Sequence, residues 1–300
     1  MGAMWFNFNV MSPAFQTVAL IGRYNTAEIA ESLLGLAGLL QRHGCSVLIE
    51  QGTAANIGSN GYAAADYATI GAQANLAVVL GGDGSMLSAA RHLAAHGVPL
   101  VGVNQGRLGF MTDIAFSRMH ETIELLLAGR YTIGERIMLE TQVLRGGKEI
   151  FGTQALNDIV VNKGGTGRMI EFLVHIDGQF VYDLRADGII VATPTGSTAY
   201  ALSSNGPILQ PNVPGIALVP VCPHMLSNRP ITVSDRCVVE ITIKQRGVGA
   251  RLHCDGQPYA ELVPDDQVIV RRAAHSIRFV HPPGYSYYAM LREKLHWSEM

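Results

Sequence analysis

The stretch Leu76-Ala77-Val78-Val79-Leu80-Gly81-Gly82-Asp83-Gly84-Ser85 reads as a buried strand that passes through a glycine-rich turn into a helix starting at about Ser85 and running to His96. Glycines let backbone approach a phosphate closely, and free N–H groups at a helix start attract anions. An aspartate that merely lined such a turn would repel a phosphate. Asp83 therefore points to a working role, either accepting a proton from an attacking hydroxyl or holding a phosphate-bound metal. The same residues also fit an ordinary Asp-Gly turn, and the stretch by itself leaves both open.

Outward from this turn, strand and helix signals alternate. Thr17–Ile21, Val47–Ile49, Leu76–Leu80 and Leu100–Val103 are short apolar strands, the last running into Asn104-Gln105-Gly106-Arg107-Leu108-Gly109. Between the first two, Asn25 and Glu28 form a capping-box pair. Ile29, Leu33, Leu36, Ala37 and Leu40 then recur at helical spacing up to Gly44. Strands separated by helices imply a parallel sheet with ligands at the carboxyl ends of its strands. After about Arg130 the rhythm becomes β: runs at Ile137–Leu144, Ile159–Val161, Phe172–Ile176, Ile189–Val191, Ile216–Val221, Val238–Ile243 and Val268–Val270 are divided by Gly146-Gly147, Asp177-Gly178 and Asp255-Gly256. The expected organisation is an α/β domain over residues 1–131, a mainly β domain over 132–281, and a helical tail, 282–300, packing back on the first domain.

Bulk properties narrow the classes. Of 300 residues, 48% are hydrophobic and 15% charged, enough apolar material for sizeable cores and too much for disorder. A net charge of −2 with no Lys/Arg run gives no support for nucleic-acid binding. Met1–Val10 contains no basic residue and does not read as a signal peptide. Gly188–Asn228 lacks Asp, Glu, Lys and Arg, but Pro194, Pro207, Pro211, Pro214, Pro220 and Pro223 forbid a membrane helix there. It reads as a buried strand followed by an uncharged binding loop. Cys45, Cys222, Cys237 and Cys254 stand far apart, with no metal-site spacing, and are expected to be buried free thiols in a reducing compartment. A cytoplasmic protein that avoids membranes and nucleic acid is the expectation.

Two further motifs carry polar chemistry. Asn157-Asp158, at the edge of an apolar run, offers donors and acceptors suited to ribose hydroxyls or an adenine edge, and equally suits a simple turn. Thr193-Pro194-Thr195-Gly196-Ser197-Thr198-Ala199-Tyr200-Ala201-Leu202-Ser203 follows a buried strand and gathers hydroxyls without charge, as a nucleoside site requires. Part of that set also fits a capped helix start. A Rossmann fingerprint is absent, since Leu87 stands where the third glycine belongs. The P-loop signature is absent too, since Gly147-Lys148 is followed by Glu149.

The Gly-Gly-Asp-Gly turn, the Asn-Asp pair, the Thr-Pro-Thr-Gly-Ser-Thr-Ala-Tyr stretch and Pro223-His224-Met225-Leu226-Ser227-Asn228-Arg229-Pro230 occur in the order found in NAD kinases, and the chain resembles that family from about Leu76 to Tyr288. The turn alone is shared with diacylglycerol, sphingosine and phosphofructokinase-type kinases; the long hydroxyl-rich motif is the specific one. The resemblance implies transfer of the terminal phosphate of ATP to the adenosine 2′-hydroxyl of NAD, giving NADP. It implies a divalent cation, magnesium, arriving with ATP rather than held in a dedicated cage, a site in the cleft between domains, and a homodimer or homotetramer. Asp83 matches the family's proton acceptor, with Gly84 beside the phosphates. Asn157 and Asp158 match a nucleotide-binding pair that is usually Asn-Glu, so this chain is one methylene shorter. Arg168, Arg185 and Asp187 match further contacts, Thr198, Ala199, Tyr200, Ala201, Leu202 and Ser203 the adenosine cradle, Gln257 a late contact and His224 a site-lining residue. Arg185 also implies ATP rather than polyphosphate as donor, unless it only pairs with Asp183 or Asp187. The competing readings are a lipid or sugar kinase sharing the Gly-Gly-Asp-Gly turn and a non-catalytic NAD(P)-sensing protein.

Overall fold

A computed structural model describes residues 13–22, 27–58, 61–106, 109–165, 167–225, 227–244 and 249–297. Among these residues two compact units emerge: those within 13–89, 98–133 and 280–297 form one, and those within 90–97 and 134–279 the other.

The first unit is built on strands β1 (Thr17–Gly22), β2 (Ser46–Glu50), β3 (Ala63–Ala65), β4 (Leu76–Leu80), β5 (Leu100–Asn104), β6 (Ile114–Ala115) and β7 (Thr132–Arg136). Its helices are α1 (Ala27–Arg42), α2 (Gln51–Ile57), α3 (Tyr67–Gln73), α4 (Asp83–Leu93), whose residues from Ala90 onward, Arg91 among them, belong to the second unit, and α5 (Met119–Leu127). The sheet runs β3-β2-β1-β4-β5, with β1 through β6 pairing in parallel. All five residues of β4 are buried, as a central parallel strand covered on both faces requires. Leu33, Leu36, Ala37 and Leu40 of α1 pack with Ile123, Leu126 and Leu127 of α5 over Leu20, Val78 and Val101. The Asn25–Glu28 pair and the side chain of Ile29 lie outside the described residues.

Two differences from the sequence reading matter. Helix α4 begins at Asp83, not Ser85, because the Gly82 carbonyl already accepts N–H bonds from Ser85 and Met86 at 3.0 and 3.3 Å. Asp83 is thus in the first helical turn, where a carboxylate suits the helix dipole. Residues 51–73 carry two short helices that apolar periodicity does not signal. Their signal is the cap: Glu50 accepts from Gly52 and Thr53 N–H at 2.8 and 2.7 Å, and Asp66 from Thr69 N–H at 2.8 Å.

The second unit contains β8 (Leu139–Arg145), β9 (Lys148–Ala155), β10 (Asp158–Lys163), β11 (Ile170–Ile176), β12 (Gln179–Ala186), β13 (Gly188–Ala192), a short helix α6 (Tyr200–Ser203), and β14 (Gly215–Val221). It continues with β15 (Ile231–Ser234), β16 (Val239–Ile243), β17 (Ala250–Cys254), β18 (Gln257–Leu262) and β19 (Gln267–Arg272). Strand β20 (Ile277–His281) returns the chain to the first sheet, which it joins between β5 and β7, and α7 (Tyr287–Lys294) follows, capped by Ser286. The sheets β15-β14-β13-β10-β17-β18 and β12-β11-β16-β19-β8-β9 are antiparallel throughout and share one core. Gly146-Gly147, Asp177-Gly178 and Asp255-Gly256 each have positive φ at both residues and close the hairpins β8–β9, β11–β12 and β17–β18 as two-residue turns.

The alternation along β10 positions the site. Ile159 and Val161 enter the sandwich core. Asp158 and Val160 face the other way, where Val160, Ile190, Ala192, Ala217 and Val219 meet Ala201 and Leu209 of the loop between β13 and β14. Cys45, Cys237 and Cys254 are buried as expected, but Cys222 is exposed. It follows β14 with a φ of 45°, so its side chain has left the apolar run the sequence suggested. No described helix is long and apolar enough to cross a membrane.

Candidate active site

In the first unit, the carboxylate of Asp83 is oriented by backbone. Its Oδ2 accepts the N–H of Phe110 and its Oδ1 that of Met111, each at 3.0 Å. The loop that supplies these donors leaves β5 and is wound on Thr112, whose hydroxyl oxygen accepts from Asn104 Nδ2 and Gly109 N–H, both at 3.1 Å. Gly109 is required by space: a Cβ there would stand 2.1 Å from Asp83 Oδ1. The far end of the loop is tied down by Asp113, 2.7 Å from His281, whose ring stacks on Tyr285 at 3.8 Å. Each Asp83 oxygen keeps lone-pair capacity beyond its amide bond, so the carboxylate can meet a hydroxyl in a fixed direction.

In the second unit, the Asn157–Asp158 pair precedes and opens β10. Asp158 is 3% exposed. Burial, and then the charge of Asp255, raise its carboxyl to about 7. Asn157 Oδ1 is buried with no hydrogen-bond partner, an acceptor left for a donor from elsewhere. The tyrosine hydroxyl of Tyr200 is raised by burial and then by Cys222, Asp187 and Asp158, so these groups share one electrostatic neighbourhood. Tyr200 remains 42% exposed and offers an accessible ring.

The hydroxyl-rich loop divides into two functions. Thr193 Oγ1 donates to Leu156 O at 2.6 Å and accepts from Gly196 N–H at 3.0 Å. Ser197 Oγ donates to Pro194 O at 2.6 Å and accepts from Leu209 N–H at 2.9 Å. These two hydroxyls hold the loop, the capping part that the sequence left open for some of the set. Thr198 Oγ1 donates to Thr195 O at 3.1 Å and keeps its acceptor side. Ala201 is fully buried and packs in the cluster beneath the loop. Leu202 is half-buried, and Ser203 exposed. Gly196 lies so close that a Cβ would stand 2.0 Å from Asn157 O, which presses the loop onto the Asn-Asp turn.

The remaining sequence candidates are more dispersed. Asp187 pairs with Lys163 at 2.8 Å. Arg185 is exposed and approaches Glu171 at 3.9 Å, while Asp183 pairs with Lys244, so neither expected aspartate holds it. His224 is exposed, its N–H donating to Arg185 O. Arg168 is exposed ahead of β11, and Gln257 is exposed at the start of β18. Sequence reasoning missed the Gly109–Thr112 loop and the contact of Asp255 with Arg91 and with the amides of residues 156–158. The loop had a signal, a glycine-flanked run at the end of β5; Asp255 had none beyond its turn.

Solved structures show where this combination of units occurs. The yeast NADH kinase complexed with NADH superposes with a TM-score of 0.87 at 25% identity, over 97% of this chain and 89% of that one. The fold is shared as well by an NAD kinase from Archaeoglobus fulgidus in complex with ATP, with a TM-score of 0.72 at 21% identity, over 94% and 99%. The class is that of two-domain nucleotide phosphotransferases. Residues 18–131 match the ATP-NAD kinase N-terminal domain and residues 156–282 the ATP-NAD kinase C-terminal domain. NAD kinases of Aromatoleum aromaticum and Azoarcus sp. are 57% identical over 98% of both chains and 55% identical over 96% of this chain and 98% of the relative. The chain belongs to the NAD kinase family, ATP-dependent phosphotransferases that convert NAD to NADP.

Proposed function

We propose that this chain phosphorylates the adenosine 2′-hydroxyl of NAD with ATP, and that Asp83 receives the hydroxyl proton. The observation carrying this role is the double amide grip on Asp83, which aims a carboxylate at the start of α4. As the 2′-oxygen bonds to the γ-phosphorus, the bond from that phosphorus to the β,γ-bridging oxygen breaks, ADP leaves, and the proton passes to Asp83. Gly84 lies beside the phosphates. Asn157 and Asp158 bind the nucleoside: Asn157 Oδ1 accepts a hydrogen bond from it, and Asp158, poised near neutrality, can donate or accept. Thr198, Tyr200, Leu202 and Ser203 border the adenosine, with Arg168, Arg185, Asp187, His224 and Gln257 as outer contacts.

The family's ATP dependence implies a divalent cation. Among the described residues no group of three or more His, Cys, Asp or Glu side chains could hold one. On the family resemblance we take the cation to be magnesium carried in on the triphosphate, with water and phosphate as its main ligands. The reading takes the assembly as a homodimer or homotetramer and the compartment as the cytoplasm, both on the family resemblance. Incubating the purified protein with NAD, ATP and magnesium chloride and assaying NADP tests the activity. NADP formation at a rate dependent on both substrates is expected; folded protein that binds NAD but makes no NADP would overturn it.

A further inference from the structure

Building on the NAD-binding role given above to Asn157 and Asp158, we propose that Asp255, clamped by Arg91, is the positioning residue that shapes and presents this pair. The side chain of Asp255 is fully buried. Its Oδ1 accepts the N–H of Asn157 at 2.7 Å and of Asp158 at 3.4 Å, and its Oδ2 accepts the N–H of Leu156 at 3.2 Å. Arg91 Nη1 completes the set at 2.7 Å from Oδ2. Burial raises the Asp255 carboxyl, but four donors and no acceptor converge on it, and the bonds from Asn157, Leu156 and Arg91 all oppose that rise, as suits a carboxylate. In return the N–H of Asp255 donates to Asp158 O at 3.0 Å, closing a reciprocal clasp around the turn.

Three consecutive amides pointing inward at one anion fix the backbone of residues 156–158, and so fix the directions of the two side chains that leave it. Asn157 then has its Oδ1 buried and unpartnered, and Asp158 is buried on the loop-covered face of β10. Neither is an arrangement a turn would adopt for its own stability, since an orphaned acceptor and a desolvated acid both cost free energy. The clasp offsets that cost and keeps the pair ready. Asp255 itself takes the left-handed φ of 50° that its two-residue Asp-Gly hairpin turn requires, so the carboxylate is carried on a well-defined turn. Around Asp158 the ionisable groups are Asp255, Cys254, Tyr200 and, through Asp255, Arg91. Burial raises the Asp158 carboxyl first and the charge of Asp255 adds to it, so the clasp bears on protonation as well as on position.

The test is initial-rate kinetics on the full chain across pH 5–9, with NAD and ATP varied separately. Asp255→Asn removes the charge and puts an amide group against donors. It is expected to raise the KM for NAD by ~10-fold or more while the KM for ATP changes less than ~3-fold. The pH limb of NAD binding should also move to lower pH. A merely structural role would lower the amount of folded enzyme and leave both readouts where they were. Should Asp255→Asn not fold, Arg91→Gln carries the test, because it releases the clamp on Asp255 while keeping the carboxyl itself. Its KM for NAD should then rise ~5-fold with the KM for ATP unchanged. Unaltered NAD affinity and pH limb in whichever variant folds would overturn the role of Asp255 alone. Absence of turnover in the unaltered chain would instead overturn the activity reading beneath it.

Discussion

Asp83 and Asp158 are the same side chain in opposite settings. Asp83 is partly exposed at the first turn of α4, and both its oxygens are occupied by backbone amides from a loop of the same unit. Asp158 is buried on β10, next to a second carboxylate, with its own carboxyl lifted to about 7. The first arrangement fixes direction and leaves the group in reach of water; the second leaves protonation poised and removes water. A group that must meet one proton along one line benefits from the first. A group that must match whichever hydroxyl hydrogen a nucleoside presents benefits from the second, because it gains its missing partner only on binding.

The contrast is broken most severely at Asp83. Asp83→Asn should lower turnover by at least ~10² while NAD binding stays within a few fold, read by a rate assay and calorimetric titration on the same sample. Near-normal turnover would reduce Asp83 to a turn residue. Gly109→Ala alters no charge but places a Cβ at 2.1 Å from Asp83 Oδ1, so it isolates direction from chemistry. A loss of ~10–10² in turnover is expected from misplacing the carboxylate, with the KM for NAD little changed.

For Asp158 the sharper handle is pH. A carboxyl raised in the folded state from 3.8 to about 7 binds a proton that the unfolded chain has already released between those values. Its contribution to stability is therefore fully present below about pH 4 and is lost as pH rises to about 7. Asp158→Asn should be more stable than the unaltered chain at pH 8, by ~1–4 kcal/mol, and the difference should vanish at pH 4. Denaturant titrations at both pH values check this, and the same variant should bind NAD more weakly. Equal stability at both pH values would mean that Asp158 carries no such strain. The smallest effect belongs to Arg185, exposed and 3.9 Å from Glu171. Arg185→Ala should change stability by less than ~0.5 kcal/mol. A melting-point loss of several degrees would show that it is not a loose surface pair.

Much of this contrast was legible in the residues. Leu76–Ser85 specified a strand, a turn and a helix, and the three hairpin turns announced themselves as Gly-Gly and Asp-Gly pairs. The positions of Asp83 and Asp158 at element starts were readable for the same reason, since short polar motifs at the edge of apolar runs survive any tertiary arrangement. Hydrogen-bond partners were not. Thr193 and Ser197 look like ligand-binding hydroxyls in sequence and prove to be bolts within their own loop. The edge-strand segments β9, β12, β15 and β18 alternate weakly and are half exposed, so their signal is diluted by polar residues. Asp255 reads as a turn residue because its partners lie 97 to 99 positions earlier, and no local pattern encodes such a reach.

That reach also orders events during synthesis. The Asn157–Asp158 turn leaves the ribosome long before the carboxylate that gathers its amides has been translated. Until residue 255 has emerged and the β17–β18 hairpin has closed, the three amides have no common acceptor and the two side chains no settled direction. A nascent chain thus gathers the Asn157–Asp158 turn late, after both sheets of the sandwich have most of their strands.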